Sequence, residues 1–448
     1  MKKYFKSAVV ILLALIMTFS IVACSKPGIV SQEELEKAEK EGVAEGSVTF
    51  TYSPAAETSD NREAANRFLS AFEKKYKDVK VERDYSVTSD ARIASADIGD
   101  VFFFAEEHTY KYAVTDKALL PLDGFVEKFD INLSDVYSGI YSLGLVNGRL
   151  YFVPRDYNHV ALIYNKDAVT EAGVSEQVKP EWTWEEFQIL CDQLNSEDYF
   201  PIQLQLVWSP VYTAFFEAYT HRNSWCSTTD KKITFNDEAG DILRAVKEAL
   251  DLAKKDYAKI PGVNDSAAGF SGKEAIFATC VYPTVQAEGK AYDNKGVAWD
   301  IINMPLFKNP SFGCGSSGVG VYSRTQNVTA AAALALFFFT PEGQRAFNAG
   351  QGGSVPLLKS LDQEGYNAWK YPDSAEWSTK NWDAFVYMAD TASTPGQVKC
   401  RMPIEVAEAI GSSIQKILKD DLAGTTSYLD GFAALEKKCN EIWAQLTV

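Results

Sequence analysis

A repeated alternation of short apolar strands with amphipathic helices is the feature that most constrains how this chain can fold. Near the start, Val48, Phe50 and Tyr52 alternate with polar residues, which indicates a strand with one buried face. Apolar residues at helical spacing follow between 65 and 76, and the segment 100–104 is apolar enough for a strand buried on both faces. This order predicts βαβ units, and therefore an α/β fold with mostly parallel sheets.

The alternation continues to the C-terminus, over a length of 448 residues that allows more than one domain. The segments 160–164 and 298–304 are predicted strands. Thr183 and Glu186 fit a capping box, which predicts a helix over 184–194. Further helices are expected at 165–173, from Phe235-Asn236-Asp237 to about Lys255, after Thr340-Pro341, and from about Pro403 to the end.

The first residues have the pattern of an export signal. Three lysines precede an apolar run at 8–16, which is too short to span a bilayer by itself. Ile21, Val22 and Ala23, directly before Cys24, resemble a bacterial lipobox. In that family of signals the cysteine is diacylated and becomes the mature N-terminus.

The lipobox resemblance implies where the chain is located. Residues 1–23 would be removed as a lipoprotein signal peptide, and residues 24–46 would be the lipidated Cys24 and a polar tether, with one short helix capped by Ser31 and Glu34. Two acyl chains suffice for stable anchoring, so we expect the protein on the outer face of the bacterial cell membrane. The alternatives are an ordinary signal peptide or a membrane helix, with Cys24 incidental.

The net charge argues against some partners, and the cysteine pattern leaves the redox state of the thiols open. The formal net charge of −16 argues against nucleic acid and gives no electrostatic attraction to anionic lipid. The six cysteines after Cys24 contain no CxxC pair, and export allows either buried thiols or disulfides. Both alternatives stay open for Cys191, Cys226, Cys280, Cys314, Cys400 and Cys439.

A series of short sequence strings then resembles a known family. Residues 151–158 read YFVPRDYN, and they lead into ALIYNKD at 161–167, AGV at 172–174 and WTWEEF at 182–187. Further strings follow in the family's order at 272–276, 318–321, 330–339, 341–344 and 352–356. Together they are similar, over residues 47–448, to the family 1 extracellular solute-binding proteins, the group that contains maltodextrin-binding proteins.

The resemblance implies an architecture that periodicity alone does not show. It is the two-lobed, periplasmic-binding-protein-like (type II) fold, with a mostly parallel sheet flanked by helices in each lobe and a hinged cleft between the lobes. Lobe 1 would take 47–156 plus 308–358, and lobe 2 would take 159–304 plus 359–448. The crossovers would lie near 155–158 and 304–307. Few connecting segments allow a hinge that a ligand closes.

The resemblance also implies a function: capture of a mono- or oligosaccharide for the transmembrane permease subunits of an ABC importer, by a monomer without a cofactor. Sugar sites need aromatic platforms beside groups that bond hydroxyls. Each candidate contact has an alternative role in the core, in a salt bridge or in a solvated loop. The candidates are Tyr52, Phe104, Glu107, Tyr157, Asn158, Trp208, Trp225, Tyr282, Trp299, Gly353 and Arg401.

Asn158 departs from the family pattern. Relatives place an acidic sugar contact at this crossover, and an amide changes the hydrogen bonding, so the relatives' substrate specificity does not carry over. A solute that is not a sugar, such as a peptide, a polyamine or a phosphate ester, therefore remains an alternative.

Catalytic and metal-binding patterns are absent from the sequence. The three histidines have no zinc-like spacing, and there is neither a GxSxG elbow nor a P-loop. Glu106 and Glu107 would point to opposite sides of a strand, so one cleft would seldom use both. We expect no metal and no enzymatic activity. A surface glycosidase with two distant carboxylates is the remote alternative.

Overall fold

The computed structural model describes residues 27–52, 59–350, 353–396 and 398–446. The predicted signal peptide and Cys24 lie outside these residues. Two five-stranded sheets and one three-stranded sheet organise the molecule, and two short hairpins complete the strands.

The strands are short and rich in apolar residues. They are β1 (Gly46–Thr51), β2 (Val79–Asp84), β3 (Val101–Ala105), β4 (Leu145–Val146), β5 (Arg149–Leu150), β6 (Val153–Pro154), β7 (Asn158–His159), β8 (Ala161–Asn165), β9 (Tyr199–Gln203), β10 (Cys226–Ser227), β11 (Lys232–Ile233), β12 (Ala258–Lys259), β13 (Glu274–Cys280), β14 (Trp299–Asn303), β15 (Phe312–Gly315), β16 (Ser317–Val321) and β17 (Ser393–Pro395).

The α-helices cover the sheets and form both ends of the described chain. They are α1 (Gln32–Glu41), α2 (Ser59–Lys75), α3 (Asp90–Ser95), α4 (Asp123–Lys128), α5 (Ser138–Ser142), α6 (Lys166–Glu171), α7 (Trp184–Leu194), α8 (Ser209–Glu217), α9 (Arg244–Lys254), α10 (Tyr282–Lys295), α11 (Val328–Leu336), α12 (Pro341–Phe347), α13 (Lys359–Gln363), α14 (Ala389–Ala392), α15 (Ile404–Leu422) and α16 (Tyr428–Gln445).

Each five-stranded sheet contains one reversed strand, so both sheets are mixed. Lobe 1, the body built on the sheet β2-β1-β3-β16-β6, has β16 antiparallel to both of its neighbours. Lobe 2, the body built on β12-β9-β13-β8-β14, has β8 antiparallel to both of its neighbours. The two-lobed α/β prediction is confirmed, and four of five strands in each sheet share one direction.

The reversed strands are the two that follow a crossing between the lobes. β8 begins two residues after β7, and β16 begins two residues after β15. Both β7 and β15 belong to the three-stranded hinge sheet, with the order β17-β15-β7. A chain that has just crossed enters its new sheet from the hinge side, which explains why its direction is opposite to that of the other strands.

The hinge sheet packs closely on helix α8 of lobe 2. A Cβ at Gly313 would overlap the carbonyl oxygen of Pro210, and one at Gly396 would meet the Pro210 ring at 2.7 Å. Only glycine permits this approach of backbone to helix. The hinge strands are therefore held against lobe 2 at their centre.

Local sequence signals set most element boundaries. The Thr183 hydroxyl accepts from the amide of Glu186 at 3.1 Å, and the Glu186 carboxylate accepts from the amide of Thr183 at 2.7 Å. This is the predicted capping box, and α7 has the predicted bounds. The prediction for α9 was wrong by about seven residues, because the Asp237 carboxylate accepts from the amides of Asp241 and Ile242 and holds a turn there instead.

The expectation of a tether up to residue 46 was also wrong. Helix α1 has the predicted capping box at Ser31 and Glu34, but it is not isolated, since Leu35 is buried in the core of lobe 1. The backbone of Val30 also bonds to Ser323. The folded body therefore begins before β1.

Two large apolar clusters form the core. One fills lobe 1 and continues onto one face of the lobe 2 sheet, and the other fills the rest of lobe 2. All six cysteines after Cys24 are free, buried thiols. Across the described residues, no helix is long and apolar enough to cross a membrane.

Candidate functional site

A group of polar side chains, which we call the hinge cluster, lies where the lobe 1 sheet meets the hinge sheet. Two members follow β1 and β3 directly. The others lie in the two segments that connect lobe 1 to the hinge sheet, one running from the end of β6 into β7 and one between β15 and β16. The members are Tyr52, Glu106, Arg155, Asp156, Asn158 and Ser316.

Arg155 is the centre of the hinge cluster. Its Nε donates to Asp156 Oδ2 at 3.0 Å, and its guanidinium donates to the Tyr52 hydroxyl at 2.5 Å. The guanidinium also lies 5.0 Å from the centroid of the Phe103 ring, within reach of a cation–π contact. The Arg155 side chain is about nine-tenths buried, so Asp156 compensates its charge inside the protein.

Asp156 links this pair to the rest of the hinge. Its Oδ1 accepts from the Ser316 hydroxyl at 2.9 Å and from Asn158 Nδ2 at 3.2 Å. The amide oxygen of Asn158 is buried and has no partner in the described protein. Among the predicted contacts in the hinge cluster, Asn158 is the one with a free polar atom.

Glu106 lies in a 3₁₀ turn over Glu106–His108, and the expected strand there is therefore wrong. Burial raises the pKa of Glu106 from its usual 4.5 to about 8, and the charges of Glu107 and Asp156 add to this rise. The Glu107 side chain remains about 40% exposed. The two carboxylates therefore have different surroundings, as expected. The cause is the 3₁₀ turn and not the alternation of side chains along a strand.

Tyr157 and His159 hold the strand β7 in place. The Tyr157 hydroxyl is within 2.9 Å of His159 Nδ1 and 2.6 Å of the Ser393 hydroxyl, so it connects two hinge strands. Complete burial lowers the pKa of His159 to about 3, which keeps the imidazole neutral. Tyr157 is fully buried, and its contacts are those of a hinge residue.

A cavity of about 560 Å³, which we call the aromatic cavity, lies between the two lobes. One wall is the backbone at Gly350 and Gly353, directly after helix α12 of lobe 1. The other wall consists of side chains from α10 and from the segment after α13. This wall includes Tyr282, Gln286, Trp369, Tyr371 and Asp373.

Tyr282 positions the aromatic wall. It is the first residue of α10, and its hydroxyl donates to the carbonyl oxygen of Trp369 at 2.7 Å. The ring of Tyr371 stacks on that of Tyr282 with centroids 6.1 Å apart. Gln286, one turn further along α10, and Asp373 are exposed, and their side chains bond to no described residue.

A second, polar cavity of about 460 Å³ includes Arg401 in its lining. The guanidinium donates to Asn223 Oδ1 at 2.6 Å and to the Pro395 carbonyl at 3.2 Å, while Nε has no partner in the described protein. It also lies 5.5 Å from the Trp225 ring centroid. Arg401 has no carboxylate within ion-pair distance in the described part of the chain.

The structure brings only two of the predicted contacts, Tyr282 and Gly353, together in the aromatic cavity. Phe104, Trp225 and Trp299 are buried among other apolar side chains of the cores. Trp208 is partly buried and precedes α8.

Four of the named cavity residues, Gln286, Trp369, Tyr371 and Asp373, were not predicted. The sequence did carry a signal for two of them. Trp369, Tyr371 and Trp377 form an aromatic-rich stretch between predicted elements, with a proline at 372 that opposes a helix. Trp369 and Trp377 are buried in the structure, and Tyr371 is the partly exposed ring of this stretch.

Comparison with known proteins gives a family. The family model described as bacterial extracellular solute-binding protein matches residues 55–345, which is more than half of the chain. No curated protein gives a significant match. The described residues contain no group of three or more histidine, cysteine, aspartate or glutamate side chains that could hold a metal ion.

Solved structures share the fold at low identity. The sugar-binding protein MalE from Xanthomonas citri is 18% identical, with a TM-score of 0.68 over 90% of this chain and 98% of that one. A cyclic alpha-maltosyl-1,6-maltose binding protein from Arthrobacter globiformis is 19% identical, with a TM-score of 0.68 over 89% and 99%. UgpB from Mycobacterium tuberculosis, in complex with glycerophosphocholine, is 17% identical, with a TM-score of 0.63 over 90% and 100%.

Proposed function

The chain belongs to the bacterial extracellular solute-binding proteins, and from this premise we propose that it captures a mono- or oligosaccharide between its lobes for an ABC importer. The observation that carries the proposal is the aromatic cavity, whose two walls come from different lobes. Its volume of about 560 Å³ lies within the roughly 300–1,000 Å³ range of small-molecule sites.

The chemistry of the cavity suits a sugar. A sugar ring offers C–H groups on its faces and hydroxyl groups at its edge. The partly buried ring of Tyr371 provides a surface on which such a face can pack, and the edges of the largely buried Tyr282 and Trp369 rings line the cavity beside it. Gln286 and Asp373, whose side chains bond to no described residue, can donate to and accept from the hydroxyl groups.

Closure follows from the position of the cavity. A solute that touches both the Gly353 backbone and the Tyr371 ring contacts both lobes, and it does so fully only when the lobes are near each other. Such a solute binds the closed state better and shifts the population towards it. The three strands of the hinge sheet are where the movement takes place.

Further parts of the proposal come from the sequence. Tyr282 and Gly353 contact the solute, and the free amide oxygen of Asn158 is a candidate contact near the hinge. The solute is released unchanged, since the protein is a carrier rather than an enzyme. The protein acts as a monomer held by a lipidated Cys24, and it delivers its solute to ABC permease subunits. We place the division of the lobes at 47–156 plus 308–358 and 159–304 plus 359–448, with helix α1 added to lobe 1.

Arg401 favours one alternative solute class. Its Nε is buried without a partner beside a polar cavity, in a protein with more acidic than basic residues. An anionic group such as a phosphate ester would complete the hydrogen bonding of this guanidinium. UgpB, which has the same fold, was solved with glycerophosphocholine.

Isothermal titration calorimetry against a panel of saccharides, glycerophosphodiesters, peptides and polyamines tests the proposal. We expect a saccharide to bind, and Tyr371→Ala to weaken its binding. Tyr366→Ala is the matched control, because Tyr366 is also partly buried after α13 but its hydroxyl donates to the carbonyl oxygen of Arg345 in α12. Binding of a phosphate ester alone, lost in Arg401→Ala but kept in Tyr371→Ala, would replace the sugar with the alternative.

A further inference from the structure

The first described residues lie along lobe 1 and do not form a free linker. The amide of Val30 donates to the carbonyl oxygen of Ser323 at 2.8 Å. The guanidinium of Arg324 donates to the carbonyl oxygen of Pro27 at 2.8 Å. Ser323 and Arg324 follow β16, a central strand of the lobe 1 sheet, so these two bonds fix the chain to a rigid element.

Helix α1 continues this attachment. Leu35 is only 3% exposed and belongs to the lobe 1 core. Lys128, the last residue of α4, donates to the carbonyl oxygen of Glu39 at 3.2 Å. Directly after the helix, a Cβ at Gly42 would overlap the Thr329 hydroxyl of α11. We call residues 27–42 the N-terminal clamp.

The clamp begins very near the predicted lipid anchor. Only Ser25 and Lys26 separate Cys24 from Pro27 in the sequence. Three residue steps span at most about 11 Å even when fully extended. A free tether over 24–46 would instead have a root-mean-square reach of about 25 Å.

The surface beside the start of the clamp suits a bilayer. Ile29, two residues after Pro27, is about half exposed. It lines a small cavity with Lys117 and Arg324, neither of which has a carboxylate partner among the residues described. The same lining contains Asp90 and Asp116, and both of these carboxylates are paired with Lys111. An apolar side chain between two cations matches the boundary between lipid headgroups and acyl chains.

We propose that the N-terminal clamp holds lobe 1 against the bilayer, with Ile29, Lys117 and Arg324 at the lipid headgroups. Lobe 1 is then the fixed lobe and lobe 2 the lobe that moves when the solute binds. The contact with lipid rests on the proposed lipidation of Cys24, whereas the clamp itself does not.

Fluorescence quenching on liposomes tests the orientation. The mature, diacylated protein is reconstituted into phosphatidylcholine–phosphatidylglycerol vesicles that carry a headgroup quencher. A maleimide dye is placed by Gln326→Cys, an exposed position two residues after Arg324 in lobe 1, and in a second sample by Lys437→Cys on the exposed surface of α16 in lobe 2. We expect quenching at 326 to be at least about threefold stronger than at 437. Equal quenching at both positions would overturn the proposal.

Two matched variants test whether the clamp produces this orientation. Leu35→Glu places a charge in the lobe 1 core and should release the clamp, which removes the quenching difference. Val43→Glu alters an exposed residue just after the clamp and should leave the difference unchanged. A difference that survives Leu35→Glu would show that another contact orients the protein.

Two further measurements separate failure of the clamp from failure of the anchor. Mass spectrometry of the N-terminal peptide shows directly whether Cys24 carries acyl chains. Hydrogen exchange of the mature, unlipidated protein tests the clamp alone, and we expect the α1 amides to exchange at least about 100-fold more slowly than an unstructured peptide. Exchange of α1 at the peptide rate would contradict the clamp even if Cys24 is lipidated.

Discussion

The hinge cluster and the aromatic cavity use polar groups in opposite ways. In the hinge cluster, Arg155 and Asp156 are paired with each other and with neighbouring hydroxyl and amide groups inside the protein. In the aromatic cavity, the side chains of Gln286 and Asp373 bond to no described residue. A group whose hydrogen bonds are satisfied supports the frame, and a group without partners is available to a solute.

This contrast indicates which residues determine solute specificity in a fold of this kind. Residues at the crossovers are close to both lobes, and a family resemblance therefore suggests them as contacts. In this protein, most of these residues use their hydrogen bonds to hold the hinge together. The side chains free to bind lie instead on α10 and on the loop after α13, away from the strongest sequence motifs.

Loss of Asp156 should give the largest effect, because it removes the buried carboxylate that pairs with the nearly buried Arg155 guanidinium at 3.0 Å. We expect Asp156→Ala to lower the free energy of unfolding by about 3–5 kcal/mol in chemical denaturation. Asp373→Ala is the control from the other region and should change it by less than about 0.5 kcal/mol. Equal losses of unfolding free energy in the two variants would contradict the difference between the hinge cluster and the aromatic cavity.

Glu106 should make the hinge cluster sensitive to pH. Its pKa is about 8 in the folded protein and near 4.5 when unfolded, so the folded state retains a proton that the unfolded state releases. The contribution of Glu106 to stability therefore falls as the pH rises from about 4.5 to about 8, and it is constant above that range.

The variant Glu106→Gln removes this titration. Its stability relative to the wild type should rise by a few kcal/mol between pH 5 and pH 8, measured by denaturation at several pH values. Glu107→Gln, at a side chain about 40% exposed, should show no such change with pH. If the difference in unfolding free energy between Glu106→Gln and the wild type did not change with pH, the buried, neutral carboxyl group would be contradicted.

Tyr371 should affect binding rather than stability. Its ring lines the aromatic cavity and is only partly buried, so Tyr371→Ala should weaken solute binding about tenfold, which is ~1.4 kcal/mol. Calorimetry measures the dissociation constant, and denaturation should detect a loss of no more than about 1 kcal/mol. An unchanged dissociation constant would mean that the cavity does not hold the solute.

Tyr282→Phe should have the smallest effect. The ring stays, and only the hydrogen bond from the hydroxyl to Trp369 is lost. We expect a loss of stability of about 1 kcal/mol and a change in the dissociation constant of less than about fivefold. A larger change in binding would show that the hydroxyl contacts the solute directly or that it fixes the position of Trp369.

The fold could be predicted from the sequence in large part because its signals are local. The capping box at Thr183 fixed the start of α7, and alternation at Val48 and Phe50 indicated β1. The start of α9 could not be predicted, because the Asp237 side chain competes with the helix for backbone amides. The docking of α1 depends on Leu35 meeting a core that is distant in the sequence.

The candidate site was harder to predict, because it also depends on contacts between residues that are distant in the sequence. Tyr282 was proposed from a family motif, and it does line the aromatic cavity. Trp369 and Tyr371 reach that cavity only because the segment after α13 folds back onto α10, a contact that no local pattern encodes. Trp299 was a predicted aromatic contact for a sugar, but its ring is packed against Gly289 and Trp377.

A sugar that binds between the lobes should contact both of them. A crystal structure of the protein with the saccharide that binds most tightly in the calorimetric panel would show this. We expect the sugar within van der Waals contact of Tyr282, Trp369 and Tyr371 on one side and of the Gly353 backbone on the other. A sugar bound to one lobe alone, or away from these rings, would contradict this expectation.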